Sequence, residues 1–275
     1  MNTRARRLPC ALAIGGIDPG GGAGVIADLR AFAAAGAFGC AAVAVITVQS
    51  TAGLRQVRAV PAKELTAQAL EVLVHQRVRA IKVGALGTAE NARAVGRILA
   101  GARAVPAVVD TPIRPTAGKG RLLAERAIAA LRDDVVPRAT VLTVNTEEAG
   151  ILLGTRVETS SQARDAARGL LDLGPRAVLV KGGHLSGPTA IDVVALGEST
   201  TELRAPRLPG GPVHGTGCTF ASLVAGRLAT RGPAAVSGQT IVEALRWAKR
   251  THHQALSRAA TVGRGARVLV WTPDD

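Results

Sequence analysis

Short runs of apolar residues alternate with longer amphipathic stretches along most of the chain. Residues 11–16, 41–48, 80–83, 107–110, 140–143 and 177–180 form compact apolar or β-branched runs of strand length. Between them, 22–35, 62–76, 89–100, 120–132, 147–153 and 160–173 place apolar residues at helical spacing. Strands separated by helices build a mostly parallel sheet with helices on both faces, because a parallel connection must cross over the sheet. Two segments break the rhythm. Residues 191–196 and 200–205, joined by Gly197-Glu198-Ser199, predict an antiparallel hairpin on a sheet edge. Helices over 217–230 and 238–259 complete the pattern. The expectation is an α/β three-layer sandwich forming a single domain over residues 11–275, behind a basic tail at 1–10. Ligands in such sheets bind at the carboxyl ends of the strands.

The composition suits a globular chain of this kind: 275 residues, 47% hydrophobic and 20% charged, with 32 glycines. Gly, Arg, Asp or Pro interrupts every apolar stretch before it reaches the roughly 18 residues that a membrane-spanning helix needs. Arg4, Arg6 and Arg7 ahead of an apolar run imitate a signal peptide, but no small-residue cleavage site precedes Asp18-Pro19, so no targeting segment is expected. Cys10, Cys40 and Cys218 lack CxxC spacing, which argues against a disulfide framework or a thiolate zinc site and for a reducing cytoplasm.

A net charge of +14 raises the question of nucleic acid. The cations are spread over nearly every predicted helix, there is no tyrosine, and aromatics are only 2% of the chain, too sparse for a base-stacking platform. Nucleic acid is therefore not the expected partner; the surplus charge suits collection of phosphorylated small molecules.

Four motifs can carry chemistry. Gly16-Ile17-Asp18-Pro19-Gly20-Gly21-Gly22-Ala23-Gly24 leaves the first strand and opens a helix, where free amides attract polar or anionic groups. Its spacing is not that of a dinucleotide fingerprint, and a tight structural turn accounts for it equally well. Val213-His214-Gly215-Thr216-Gly217-Cys218-Thr219 presents consecutive amides at a helix start, an anion hole for a transferring phosphoryl group. Cys218 falls in the first turn, where the helix dipole is expected to lower a thiol pKa; the plainer alternative is a small packed cysteine. Asn145 and Glu148 follow a strand and face one point beyond its end, and they also fit a capping box. Lys181-Gly182-Gly183-His184 puts a lysine at a strand exit, within reach of a phosphate or simply solvated.

In this order and spacing, together with Ala27-Asp28-Leu29, Gly36 to Cys40, Gln49 and Lys82-Val83-Gly84, these pieces resemble the ribokinase-like superfamily. Within it they are most similar to the hydroxymethylpyrimidine/phosphomethylpyrimidine kinases of thiamine biosynthesis. The resemblance runs from Ala11 to about Ala259. It implies ATP-dependent phosphorylation of 4-amino-5-hydroxymethyl-2-methylpyrimidine and of its monophosphate, with Mg2+ as cofactor. It also implies Gly16, Asp28, Gln49 and Ala85 beside the pyrimidine, with Gln49 reading its aminopyrimidine edge. Cys218 stands where most of the superfamily carries an aspartate base, joined by the amides of Gly215, Thr216 and Gly217. Lys181, Asn145 and Glu148 are implied at the nucleotide phosphates, and Asp110 with Glu148 at magnesium. By analogy with the fold, a homodimer is expected.

Two departures from the family pattern widen the expectation. Ala85 replaces a methionine that usually packs on the pyrimidine, which enlarges the pocket and makes a pyridoxal-type vitamin kinase the runner-up. Residues 112–120 carry two prolines and displace a lysine to Lys119, which motivates a third reading, a pyrimidine-binding paralogue without turnover.

Overall fold

Parallel strands buried on both faces need apolar side chains pointing both ways, and β1 (Cys10–Ile17) shows the result: Leu12 and Ile14 enter one core, Ala11 and Ala13 the other. The computed structural model describes residues 7–110, 112–113, 122–183 and 185–271. After β1 come α1 (Gly24–Ala34), β2 (Phe38–Ser50), β3 (Gly53–Ala59), α2 (Ala62–His75), β4 (Val78–Val83), α3 (Ala89–Gly101) and β5 (Ala107–Asp110). The second half runs through the single turn α4 (Ile128–Ala130), β6 (Val141–Asn145), α5 (Thr146–Leu153), α6 (Ser160–Leu171), β7 (Ala177–Lys181), β8 (Thr189–Leu196) and β9 (Ser199–Pro206). It closes with β10 (Val213–His214), α7 (Thr216–Arg231), α8 (Gly238–Ser257) and β11 (Arg267–Val268).

The nine-stranded sheet has the order β3-β2-β1-β4-β5-β6-β7-β8-β9. The run from β2 to β7 pairs in parallel, while β3, β8 and β9 join antiparallel at the two edges. Helices α1, α7 and α8 cover one face and α2, α3, α5 and α6 the other, giving the three layers that the pattern predicts. No helix among the described residues is long and apolar enough to cross a membrane.

Three elements depart from the expected pattern. Strand β3 was not anticipated: in Gly53–Ala59 only Leu54 is buried, and its Arg and Gln residues read as loop because it pairs along one side only, with β2. The helix expected over 120–132 is a broken run, with a 3₁₀ turn at Glu125–Ala127, α4, a π turn at Leu131–Val135 and a second 3₁₀ turn at Val136–Arg138. Pro137, lacking an amide donor, ends it. The short parallel pair β10–β11 was also unforeseen, since two residues per strand leave no periodicity to read.

Candidate active site

The strand order turns back at β1, which lies between β2 and β4, and ligand crevices form where such a reversal occurs. The carboxyl ends of the parallel strands open there into a cavity of about 520 Å³. Both glycine turns line it.

The first turn is wound around the Asp18 carboxylate, whose Oδ1 accepts from the Gly20 amide at 2.9 Å and Oδ2 from the Ala23 amide at 2.9 Å. In the second turn Gly215 has φ +77°, and a Cβ on it would lie 1.8 Å from the Gly22 carbonyl oxygen. Only glycine permits both that backbone and that approach, so the two turns touch at this point. Helix α7 then starts at Thr216, and its first internal bond is Thr219 N–H to Gly215 O at 3.0 Å. The earlier amides of a helix have no internal partner, which makes this start an anion site. The Gly24 amide, on the facing turn, acts on the Cys218 thiol to lower its pKa.

Two ion pairs, one buried and one partly buried, sit at the anion site. Lys82 donates to both Asp28 oxygens at 2.9 Å, and Ser222 donates to Asp28 Oδ1 at 2.7 Å. Lys82 is 1% exposed and Asp28 0%. Burial works against the ammonium, yet Asp28, Cys218 and Asp110 hold the Lys82 pKa above its ordinary value. Lys181 donates to Asp110 Oδ1 at 2.9 Å, and Thr143 donates to the same oxygen at 3.2 Å. A Cβ on Gly217 would lie 3.2 Å from Lys181 Nζ, so this ammonium stands against the start of α7. Burial opposes ionisation of Asp110, but Lys181 and Lys82 hold its carboxyl below the usual range.

The far end of the cavity comes from β8 and α8. Asp192 accepts from the Gly182 amide at 3.0 Å and from Lys249 Nζ at 2.7 Å. His252 Nε2 lies 3.0 Å from the Thr216 carbonyl, and Phe220 meets the ring edge-on at 5.7 Å. Burial and then Lys249 push the His252 pKa down to about 3, although the Thr216 carbonyl acts in the other direction. A neutral ring donating Nε2–H to Thr216 therefore braces the α7 start. The unfolded imidazole protonates near 6.5 while the folded one does not, so the unfolded state takes up more protons between about 6.5 and 3. Stability is expected to fall as pH drops through that window. In His252→Gln, urea midpoints measured from pH 7 to 4 should fall less steeply than in the wild type.

The residues to which the sequence assigns a site role fall on this one cavity: Gly16, Asp28, Gln49, Ala85, Asp110, Asn145, Glu148, Lys181, Gly215, Thr216, Gly217 and Cys218. Their contacts are more particular than the motifs indicate. Asn145 and Glu148 form a capping box at the start of α5, with Glu148 N–H donating to Asn145 Oδ1 and Asn145 N–H to Glu148 Oε2, each at 2.8 Å. Burial pushes the Glu148 carboxyl up to about 7 against the pull of Lys181, and Asp110 adds to the rise. The lowered thiol pKa expected of Cys218 is not found: burial raises it to about 11, Lys82 offsets this only in part, and Asp110 and Asp28 reinforce it. His184, Thr111, most of 112–120 including Lys119, and the greater part of the 1–10 tail lie outside the described residues.

Asp18, Lys82, Asp192, Lys249, His252 and His214 also line the cavity, and no motif in the sequence assigns them a role. Asp192 had a visible signal, a carboxylate inside the apolar run Ile191-Asp192-Val193-Val194. Lys249 and His252 are three apart and so share a helix face, but the burial that gives the pairing meaning comes only with the fold.

A mostly parallel sheet with a cation-backed amide hole at the start of α7 defines a phosphotransferase of the ribokinase-like class. The chain belongs to the phosphomethylpyrimidine kinase family, whose model matches residues 18–269. The hydroxymethylpyrimidine/phosphomethylpyrimidine kinase of Streptomyces coelicolor is 39% identical over 257 residues, covering 94% of this chain and 92% of that one. Among solved structures, pyridoxal kinase from Staphylococcus aureus in complex with AMP-PCP and pyridoxal superposes with a TM-score of 0.85 at 27% identity, over 96% of this chain and 94% of that one. Phosphomethylpyrimidine kinase from Clostridium difficile gives 0.76 at 29% identity, over 90% and 99%.

Proposed function

We propose that this enzyme transfers the γ-phosphoryl group of ATP to the hydroxymethyl oxygen of 4-amino-5-hydroxymethyl-2-methylpyrimidine, and then phosphorylates the monophosphate, in thiamine biosynthesis. One observation carries the reading: Lys181 and the α7 start meet at Gly217 on a cavity that runs from Gln49 on β2 to Asp192 on β8, strands on opposite sides of β1 and β7 in the sheet. An acceptor alcohol at one end and a nucleotide at the other then converge on the anion hole.

In the transfer, the new O–P bond forms as the bond from phosphorus to the ADP oxygen breaks, and the alcohol proton leaves late. The amides from Thr216 to Cys218 and the Lys181 ammonium stabilise the charge spread over the transferring oxygens. Cys218, whose thiolate the Lys82 ammonium and the Gly24 amide favour, takes the proton. Asp110 and Glu148 fit magnesium in their donor chemistry: both are carboxylates on the cavity, and among the described residues the Lys181 and Thr143 bonds to Asp110 both go to Oδ1. No group of three or more His, Cys, Asp or Glu residues among the described residues makes a closed cage. That suits an ion that keeps waters and takes phosphate oxygens. When bound, magnesium neutralises phosphate charge.

The wider reading is one kinase unit over residues 11–275, working in the cytoplasm as a homodimer. Ile46 and Val48, half exposed on β2, offer apolar surface for a second copy. ADP release measured with hydroxymethylpyrimidine, with its phosphate, with pyridoxal and with no acceptor tests the assignment. Turnover of both pyrimidines above the acceptor-free rate is expected. Faster turnover of pyridoxal would favour the vitamin-kinase alternative, which the small Ala85 side chain motivates, and no turnover at all would favour a binding paralogue.

A further inference from the structure

His214 is joined to both ends of a contact that the motifs keep far apart. Its Nε2 lies 2.8 Å from Asp18 Oδ2, and the same nitrogen lies 3.3 Å from the Gln49 carboxamide nitrogen. His214 is 5% exposed and Asp18 2%. Burial disfavours the Asp18 charge, but His214 and the amides of Gly20 and Ala23 hold the carboxyl below its usual range, so it is ionised at neutral pH.

An ionised carboxylate only accepts hydrogen bonds. The His214 nitrogen facing it must therefore carry a proton, whether the ring is neutral or charged. A protonated Nε2 cannot also accept from a carboxamide NH2. The contact with Gln49 is favourable in one arrangement alone: the carboxamide oxygen faces His214 and takes the longer, weaker share of the single Nε2–H that Asp18 also accepts, and the NH2 group is turned away from it. Which end of an amide faces a neighbour is set by this kind of bonding pattern. Gln49 lines the cavity with Gly16 and Ala85, so the freed NH2 is the group it offers to a ligand there.

We infer that His214, held by Asp18, is a positioning residue that fixes Gln49 as a hydrogen-bond donor to an acceptor nitrogen in the substrate ring. A Cβ on Gly22 would lie 2.5 Å from His214 Cδ2, so the ring is wedged between the two glycine turns. The inference rests on the pyrimidine reading of this end of the cavity and adds the polarity of the contact, a donor from the protein to an aromatic nitrogen.

The test compares hydroxymethylpyrimidine with its two monodeaza analogues, each having one ring nitrogen replaced by C–H, by calorimetric titration of the full chain. In the wild type, the worse of the two analogues should bind about tenfold more weakly than the pyrimidine, the worth of one good hydrogen bond. His214→Phe keeps the ring and removes the proton, and it should bring that ratio near one while leaving ATP affinity within about twofold. His214→Gln, which presents an NH2 in place of Nε2–H, should restore most of the ratio. Gln49→Glu keeps an acceptor for His214 and cannot donate, so it too should abolish the preference, even if His214→Phe fails to fold. A preference retained in His214→Phe or in Gln49→Glu overturns the inference while leaving the pyrimidine reading in place. A wild type that binds no pyrimidine overturns both.

Discussion

Replacing Asp28 with alanine is expected to lower the unfolding free energy by about 3–5 kcal/mol, the usual effect of stripping one partner from a buried ion pair. Both Asp28 oxygens are already engaged, Oδ1 by Lys82 and Ser222 and Oδ2 by Lys82. The variant leaves an ammonium that is 1% exposed with no counter-charge at that side. The double variant Asp28→Ala/Lys82→Met removes the unpaired charge and should recover much of the loss, because an apolar pair of similar volume replaces a buried ion pair at little cost. Urea denaturation of the two variants gives the comparison. If Asp28 acted only by contacting the pyrimidine, the single variant would keep wild-type stability and lose substrate affinity alone. Lys82 favours the Cys218 thiolate more than Asp28 opposes it, so the double variant should remain defective in turnover after its stability returns.

Cys218→Ser is expected to reduce kcat roughly 10²-fold, the common contribution of a positioned base. Serine fits the space but does not ionise near neutral pH. The wild-type pH profile makes the expectation sharper. With the thiol pKa at about 11, only a small fraction is thiolate at pH 7, and that fraction grows about tenfold with each pH unit until the pKa is approached. The kcat/KM of the wild type should therefore climb from pH 7 to pH 10. Cys218→Asp, whose carboxylate is already ionised across this range, should give a flat profile. Alkylation of the wild type should follow the same climb, at Cys218 and not at Cys10 or Cys40, which are buried. A Cys218→Ser enzyme with wild-type turnover would leave the amides and Lys181 as the whole of the catalysis.

What the sequence discloses and what it withholds follow from the range of the forces involved. Strands β1 and β4 to β7 are legible because burial on both faces demands unbroken apolar runs, and β2 because its run of β-branched residues stays apolar even where Ile46 and Val48 are half exposed. Asn145 and Glu148 are legible twice over, since a capping box and a strand-end polar pair share one spacing. The pairs that assemble the site are not local. Asp18 and His214 are 196 residues apart, Asp110 and Lys181 71, and Asp28 and Lys82 54. No periodicity connects such positions, and the motifs carry their residues without naming their partners. The Cys218 thiol shows the same limit from another side: the helix start was readable and the burial that outweighs it was not.

The short β10–β11 pair sets the order in which the site can come into being. Val213 and His214 are held in register by Arg267 and Val268, and a Cβ on Gly22 would meet Val268 at 3.0 Å, so the late segment closes over the earliest glycine turn. A chain emerging from the ribosome can lay down β1 to β7 as they appear, since their neighbours are close in sequence. It has no His214 to place beside Asp18 until residue 214 has left the exit tunnel, and no strand to steady His214 until residue 268 has followed. Synthesis thus yields a sheet long before it yields a pocket, and a nascent chain passes most of its elongation unable to grip the ligand that would stabilise it.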